Sequence, residues 1–239
     1  MAQYIEHKAD SRGFADHGWL KSYHTFSFAG YFNEERIHFG ALRVLNDDYV
    51  AGGMGFGAHP HNNMEIVSIP LEGTLAHQDS MGSKGTIQKG EIQIMSAGTG
   101  VTHSEMNGNP TEAVKFLQIW VFPKEQNVTP RYGQMNYEVG SNEIKTLIQP
   151  TPSDDTLLLH QDAWFKLAKF EANQSFEIPV EMPSQNGIYL FVLKGSLTVD
   201  GKELNTRDAI GIWDADKIKI ETNEDTEFLA IEVPMYELN

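Results

Sequence analysis

The sequence predicts an all-β protein built as two antiparallel, jelly-roll-like barrels in one chain. Two observations lead there. Stretches with helical amphipathic periodicity are scarce, while short apolar runs bounded by Gly, Pro, Asn or Asp recur along the chain. That spacing is expected of a sandwich or barrel. The two halves also echo each other. Ile69-Pro-Leu-Glu-Gly73-Thr-Leu75 resembles Phe191-Val-Leu-Lys-Gly195-Ser-Leu197, and Gly90-Glu-Ile-Gln-Ile-Met95 resembles Arg207-Asp-Ala-Ile-Gly-Ile-Trp213. Such a repeat reads as two copies of one unit.

Taken in order, the first half offers strand-like runs at Tyr23 to Phe28, Ala41 to Leu45, Glu65 to Ile69, Glu91 to Met95 and Val114 to Val121. From Pro123 to Asp155 the pattern weakens. Pro123, Pro130, Pro150 and Pro152 fall among polar residues there, so the stretch reads as a connection rather than core. Runs resume at Leu157 to Leu159, Trp164 to Phe170, Ile188 to Leu193, Ser196 to Val199, Ala209 to Trp213 and Glu227 to Val233. The expected division is a first barrel over 1–122, a connecting segment over 123–155 and a second barrel over 156–239.

Composition narrows the function. At 239 residues the chain holds one large or two small domains. No run approaches the roughly 20 apolar residues of a membrane span. The first residues, Met-Ala-Gln-Tyr-Ile-Glu-His-Lys, contain no apolar segment, so no signal peptide is expected. The absence of cysteine excludes disulfides, thiolate metal sites and cysteine nucleophiles, and suits a cytoplasmic protein. A formal charge of −15 with no basic run speaks against direct nucleic-acid binding and otherwise reads as a solubility feature.

The chemistry gathers in one segment. It reads Gly53-Met-Gly-Phe-Gly-Ala-His59-Pro-His61-Asn-Asn-Met-Glu65, followed later by His103-Ser-Glu105. Four of the nine histidines lie in this window: His59, His61, His77 and His103. Residues i and i+2 of a strand share a face. His59 and His61 therefore aim at one space, as do His103 and Glu105. If the spaces coincide, three imidazoles and a carboxylate surround a metal. That set suits a divalent first-row ion. Iron or nickel would keep open positions, whereas zinc could close tetrahedrally in a structural role. Glycine-rich turns flank both pairs and can re-aim strands at a barrel mouth.

The other histidines read differently. His77 reads as a structural strand histidine, and His24 as a buried, hydrogen-bonded one in preference to part of a pocket rim. His7, His17, His38 and His160 have no partner at useful spacing. Asn62-Asn63 reads as a turn beside the site. Phe56, Met64 and Met95 read as barrel packing, and the four tryptophans as core or interface residues. No histidine follows His160, so the second barrel cannot repeat the site.

Gly53-x5-His59-x-His61-x3-Glu65 and Gly100-x2-His103-x3-Asn107 resemble the two metal motifs of the cupins. Across the N-terminal half the chain more closely resembles the pirins and their bacterial quercetin 2,3-dioxygenase relatives. The matching stretches are His17-Gly-Trp-Leu-Lys-Ser-Tyr-His-Thr-Phe-Ser-Phe28, Gly40-Ala-Leu-Arg-Val-Leu-Asn-Asp-Asp48, Phe56-Gly-Ala-His-Pro-His61, Leu71-Glu-Gly-Thr-Leu-Ala-His-Gln-Asp-Ser80 and Met95-Ser-Ala-Gly-Thr-Gly-Val-Thr-His-Ser-Glu105. The C-terminal half matches only in its barrel character.

The resemblance implies a bicupin with a metal in the first barrel only. It implies one divalent transition metal, Fe(II) foremost, with zinc, nickel, manganese, copper and cobalt as alternatives. General cupins would take Glu65 as fourth ligand and pirins Glu105. The pirin likeness favours His59, His61, His103 and Glu105, leaving Glu65 as an acceptor behind the ligands or a spare base. The implied activity is cleavage of a flavonol such as quercetin by dioxygen. The metal would act as a Lewis acid on a substrate hydroxyl, with Glu105 or Glu65 as the base. Mammalian pirins suggest the alternative of a non-enzymatic, metal-binding regulator acting through protein contacts. Incidental flavonol cleavage by a barrel that serves another metabolite or protein is a third reading. A monomer is expected, because a bicupin buries its own second barrel.

Overall fold

The apolar runs pair into four sheets, antiparallel except where Glu143–Gln149 runs beside Leu157–Leu158. The computed structural model describes residues 1–235, and only Ala9–Ser11 among them is helical, as one 3-10 turn. The N-terminal half sets a seven-stranded sheet against a four-stranded one. The larger sheet runs, edge to edge, Arg131–Asn136, Glu91–Ser96, Glu65–Glu72, Val114–Val121, Leu42–Val50, Leu20–His24 and Gly13–Asp16. The smaller runs Gly55–His61, Val101–Asn107, Thr74–Asp79 and Lys84–Gln88.

The C-terminal half repeats this plan. Its larger sheet runs Gln3–His7, Ala209–Trp213, Asn186–Lys194, Thr226–Pro234, Trp164–Phe170, Glu143–Gln149 and Leu157–Leu158. Its smaller sheet runs Ser175–Pro179, Lys217–Thr222, Ser196–Val199 and Lys202–Asn205. The echoed glycines make the same turn from large sheet to small sheet, with φ of 76° at Gly73 and 79° at Gly195. Each half is thus a jelly-roll-like pair of facing sheets, and the whole is a bicupin.

Alternation along the strands decides what each face meets. In Val114–Val121, Leu117, Ile119 and Val121 face the other half of the molecule. There they join Val67, Ile69, Phe165, Tyr189, Phe191 and Ile231 in a core shared by the two larger sheets. Burying each such side chain contributes about 1.5–3 kcal/mol. The intervening residues face inward, between the sheets of one half. In the C-terminal half that interior is apolar, with Ile188, Leu190, Val192, Ile210, Ile220 and Phe228 all buried. In the N-terminal half the same layer is partly polar.

Three features differ from the sequence-based expectation. Segment 123–155 is not only a connection. Arg131–Asn136 pairs with Glu91–Ser96, while Glu143–Gln149 pairs with Trp164–Phe170. The first is an edge strand, half-buried and carrying Arg131, Gln134 and Asn136, so its apolar period is weak. In addition, Gln3–His7 from the chain's beginning completes the C-terminal sheet by pairing with Ala209–Trp213. The run from Tyr23 also leaves its sheet after His24 and enters a tight turn that pairs Phe28 with Tyr31.

Gly195 supports a direct test of the repeated turn. A Cβ there would lie 2.4 Å from the Asp225 carbonyl oxygen, on a backbone at φ 79°. Gly195→Ala is expected to cost at least about 1 kcal/mol. A lower urea midpoint at unchanged slope would register the loss.

Candidate metal centre and its cavity

His59 and His61 lie on Gly55–His61, and His103 and Glu105 on the neighbouring Val101–Asn107. The antiparallel register sets His59 directly opposite His103. It then shifts before Glu105 meets Phe56, leaving Gly57 and Ala58 across from Ser104. Such a bulge bends a strand and re-aims its side chains. The Gly57 carbonyl oxygen lies 2.7 Å from His59 Nδ1. A proton donated from Nδ1 to that carbonyl leaves the Nε2 lone pair free for a ligand.

The three imidazoles converge. Ring centroids are 4.5 Å apart for His59 and His103, and 4.9 Å for both His59–His61 and His61–His103. One ring nitrogen from each falls within 4.8 Å of the others. Burial, reinforced by the neighbouring imidazoles, lowers the pKa of His61 to about 4 and of His103 to about 3. Both are therefore neutral at pH 7. His61 Nε2 and both ring nitrogens of His103 are buried without a hydrogen-bond partner. Unpartnered buried polar atoms are costly and uncommon. A divalent ion among them would resolve that cost, and neutral imidazole is a good ligand for it. The residues fit a metal.

Glu105 is buried across from Ser68, Gln93 and Gln118 on the larger sheet. Ser68 Oγ and Gln93 Nε2 donate to its Oε1 at 2.7 and 2.9 Å, and Gln118 Nε2 donates to its Oε2. The Tyr132 hydroxyl stands behind this group, 3.0 Å from Gln93 Oε1 and 2.8 Å from Gln134 Oε1, with one proton to donate between them. Glu105 lies with His103 and His77 in a second group of ligand-capable atoms, so His103 links it to the triad. His77 has a structural setting of its own. Its Nε2 is 2.9 Å from Asp79 Oδ2, and its ring stacks on Tyr132 at 4.5 Å.

Glu65 is not brought to the histidines. It shares a face with Val67 and Ile69, which point to the other half of the molecule. There its Oε2 accepts from Ser96 Oγ at 2.8 Å and from the His160 backbone N–H at 3.2 Å. It lies four positions after His61, but Asn62, Asn63 and Met64 form a turn between the strands, and strand parity does not carry across it.

A cavity of about 560 Å³ opens beside this cluster. His59, Glu105 and Gln118 line it together with the aromatic rings of Phe28, Tyr31 and Trp120. Tyr31 packs where a Cβ on Gly13 would fall 2.3 Å from its ring, so glycine is needed at that position.

Comparison with known proteins gives this arrangement a lineage. The pirin family profile matches residues 6–121, and that of the quercetinase C-terminal cupin domain matches residues 146–233. The chain is 42% identical over 228 residues to the quercetin 2,3-dioxygenase of Escherichia coli K12, covering 95% of this chain and 97% of that one. It belongs to the pirin family. A pirin-like protein of Caulobacter vibrioides is 38% identical over 226 residues, with 93% and 96% covered. The crystal structure of the bacterial pirin YhhW from E. coli, in complex with nickel(II), superposes with a TM-score of 0.93 at 40% identity, over 98% of this chain and all of that one.

Sequence reasoning about this pirin missed the groups behind Glu105. A signal was present: Ser68, Gln93 and Gln118 are each a polar residue inside an otherwise apolar run. It also missed Asp48, which is buried and accepts a hydrogen bond from Ser22 Oγ. Burial pushes the Asp48 carboxyl up to about 7. An unfolded aspartate titrates near pH ~3.9. The folded state therefore retains a proton that the unfolded chain has lost, and Asp48 ionisation reduces stability as pH rises from about 4 to 7. Asp48→Asn is expected to improve thermal stability relative to wild type more at pH 8 than at pH 5. Equal effects at both pH values would show that Asp48 titrates normally.

Proposed function

We propose that this pirin is a metal-dependent dioxygenase that cleaves a flavonol such as quercetin with dioxygen, releasing carbon monoxide. The observation that carries the reading is the convergence of three imidazoles, two of them with unpartnered ring nitrogens, and of a buried carboxylate joined to them through His103, beside an aromatic-walled cavity. The names of the relatives support the same chemistry. In this reading His59, His61, His103 and Glu105 hold one divalent transition metal. Fe(II) is the first candidate, and the nickel(II) of the E. coli structure makes nickel the second. When bound, the metal supplies Lewis acidity that favours ionisation of a neighbouring substrate hydroxyl.

The chain's own residues supply the rest. Aromatic rings flank a planar substrate, and the enclosing sheets limit water near the reacting end. Glu105 is the proton acceptor. Three of the roughly four lone-pair positions on a carboxylate are already occupied by Ser68, Gln93 and Gln118. These donors fix the carboxylate's orientation and leave one position, so Glu105 takes the proton only by giving up its place as a ligand. Glu65, facing the other half of the molecule, has no part in this step.

The test is anaerobic loading with iron(II), then metal analysis and quercetin turnover under oxygen. One metal per chain is expected, with turnover that His61→Ala abolishes. Glu105→Gln is expected to lower turnover by roughly 100-fold or more, the scale of a lost general base, and metal content far less. Equal losses of both would restrict Glu105 to holding the metal. Full metal loading without turnover would contradict the dioxygenase reading.

A further inference from the structure

The cavity has a second polar wall that the metal centre does not use. Ser22 and His24 stand two apart on Leu20–His24, and Asn46 and Asp48 stand two apart on the paired strand Leu42–Val50. All four line the cavity that His59 and Glu105 also line. Their register is direct, with Ser22 opposite Asp48 and His24 opposite Asn46. Each is at most 4% exposed. Together they put four polar side chains on the wall of a cavity otherwise rich in aromatic rings.

Their hydrogen bonding is incomplete. Ser22 Oγ donates to Asp48 Oδ1, and no side chain among the described residues donates to Asp48 Oδ2. Asn46 Oδ1 and His24 Nδ1 are buried with no partner at all. Leaving such atoms unsatisfied costs about 1–3 kcal/mol each. The vacant positions are mainly acceptors: a carboxylate oxygen, an amide oxygen and an imidazole nitrogen that accepts in one tautomer. Asp48 and Asn46, two apart on one strand of an aromatic-walled cavity, suit a ligand that brings hydroxyl donors on a flat ring. An ionised carboxylate ligand brings no donor and would leave Asp48 Oδ2 and Asn46 Oδ1 unsatisfied. The corresponding strand of the C-terminal half differs: Lys166 stands where Asn46 does and donates to Glu181, and Ala168 stands where Asp48 does.

We propose that Ser22, His24, Asn46 and Asp48 form a second hydroxyl-binding subsite, which holds a ring hydroxyl of the substrate other than the one at the metal and selects polyhydroxylated aromatics. The inference rests on the flavonol reading above and adds a specificity determinant to it. Above about pH 7, where Asp48 is ionised, Asp48 and Asn46 accept from that second hydroxyl, Ser22 holds Asp48 in place, and His24 closes the edge of the site against Phe28 at a ring separation of 5.3 Å. A site built to bond a hydroxyl discriminates strongly against a ligand that lacks it, because its own buried groups are then left unpaired.

The experiment compares two flavonols on the iron(II)-loaded, full-length protein without oxygen. Quercetin carries hydroxyls on both ring systems, and 3-hydroxyflavone carries only the one beside the carbonyl. Wild type is expected to bind quercetin at least tenfold more tightly. In Asp48→Asn, Oδ1 still accepts from Ser22 and the amide NH2 faces the cavity. The preference is expected to collapse toward unity, with the loss falling on quercetin. Asn46→Ala should reduce the same ratio in part and serves as a second variant if Asp48→Asn misfolds. A wild-type preference that both variants retain, or no wild-type preference while both flavonols bind, overturns the subsite and leaves the dioxygenase reading intact. A wild type that binds neither flavonol overturns both.

Discussion

The site depends on one interaction across the N-terminal sandwich. Glu105 projects from the smaller sheet, and its carboxylate is held by Ser68, Gln93 and Gln118 on three adjacent strands of the larger one. Register aligns these donors in a row, with Ser68 opposite Gln118 on one side and Gln93 on the other. A buried carboxylate without such donors would be expelled or protonated. With them it is fixed relative to the histidine two residues before it. The same bonds tie the sheets together, so the geometry of the candidate metal centre and the packing of the domain are set by one network.

The second half of the chain shows what this network replaces. Aligning Gly73 with Gly195 places Ser68 at the position of Leu190. Aligning the second echoed motif places Gln93 at Ile210. Leu190 lies opposite both Ile210 and Ala230, as Ser68 lies opposite Gln93 and Gln118. Three polar residues in one half are thus three apolar residues in the other. One interior is a site beside a cavity, whereas the other is packed core. The two halves join through the backs of their larger sheets, where Glu65 is also spent, bonded to Ser96 and to the backbone of His160.

Much of this was legible in the sequence because strand periodicity is local. The spacing of His59, His61, His103 and Glu105 contained the face they share, and the two glycine-anchored echoes contained the repeat. What escaped depends on pairing between distant strands. Arg131–Asn136 reads as a polar connection until its edge position is known, so Tyr132 behind Gln93 was invisible. Glu65 was misplaced because a turn separates it from His61. In the sequence Asp48 is one of two adjacent acids, with nothing local to set it apart. In the fold Asp47 turns outward to Arg12 and Arg207, while Asp48 turns inward.

The most direct test of the central claim is X-ray absorption at the iron edge of protein loaded with one iron(II) per chain. The expected spectrum shows scattering from three imidazoles, reduced by one in His103→Ala. A spectrum without imidazole scattering, or one unchanged by that substitution, would contradict the convergence of His59, His61 and His103 on a metal.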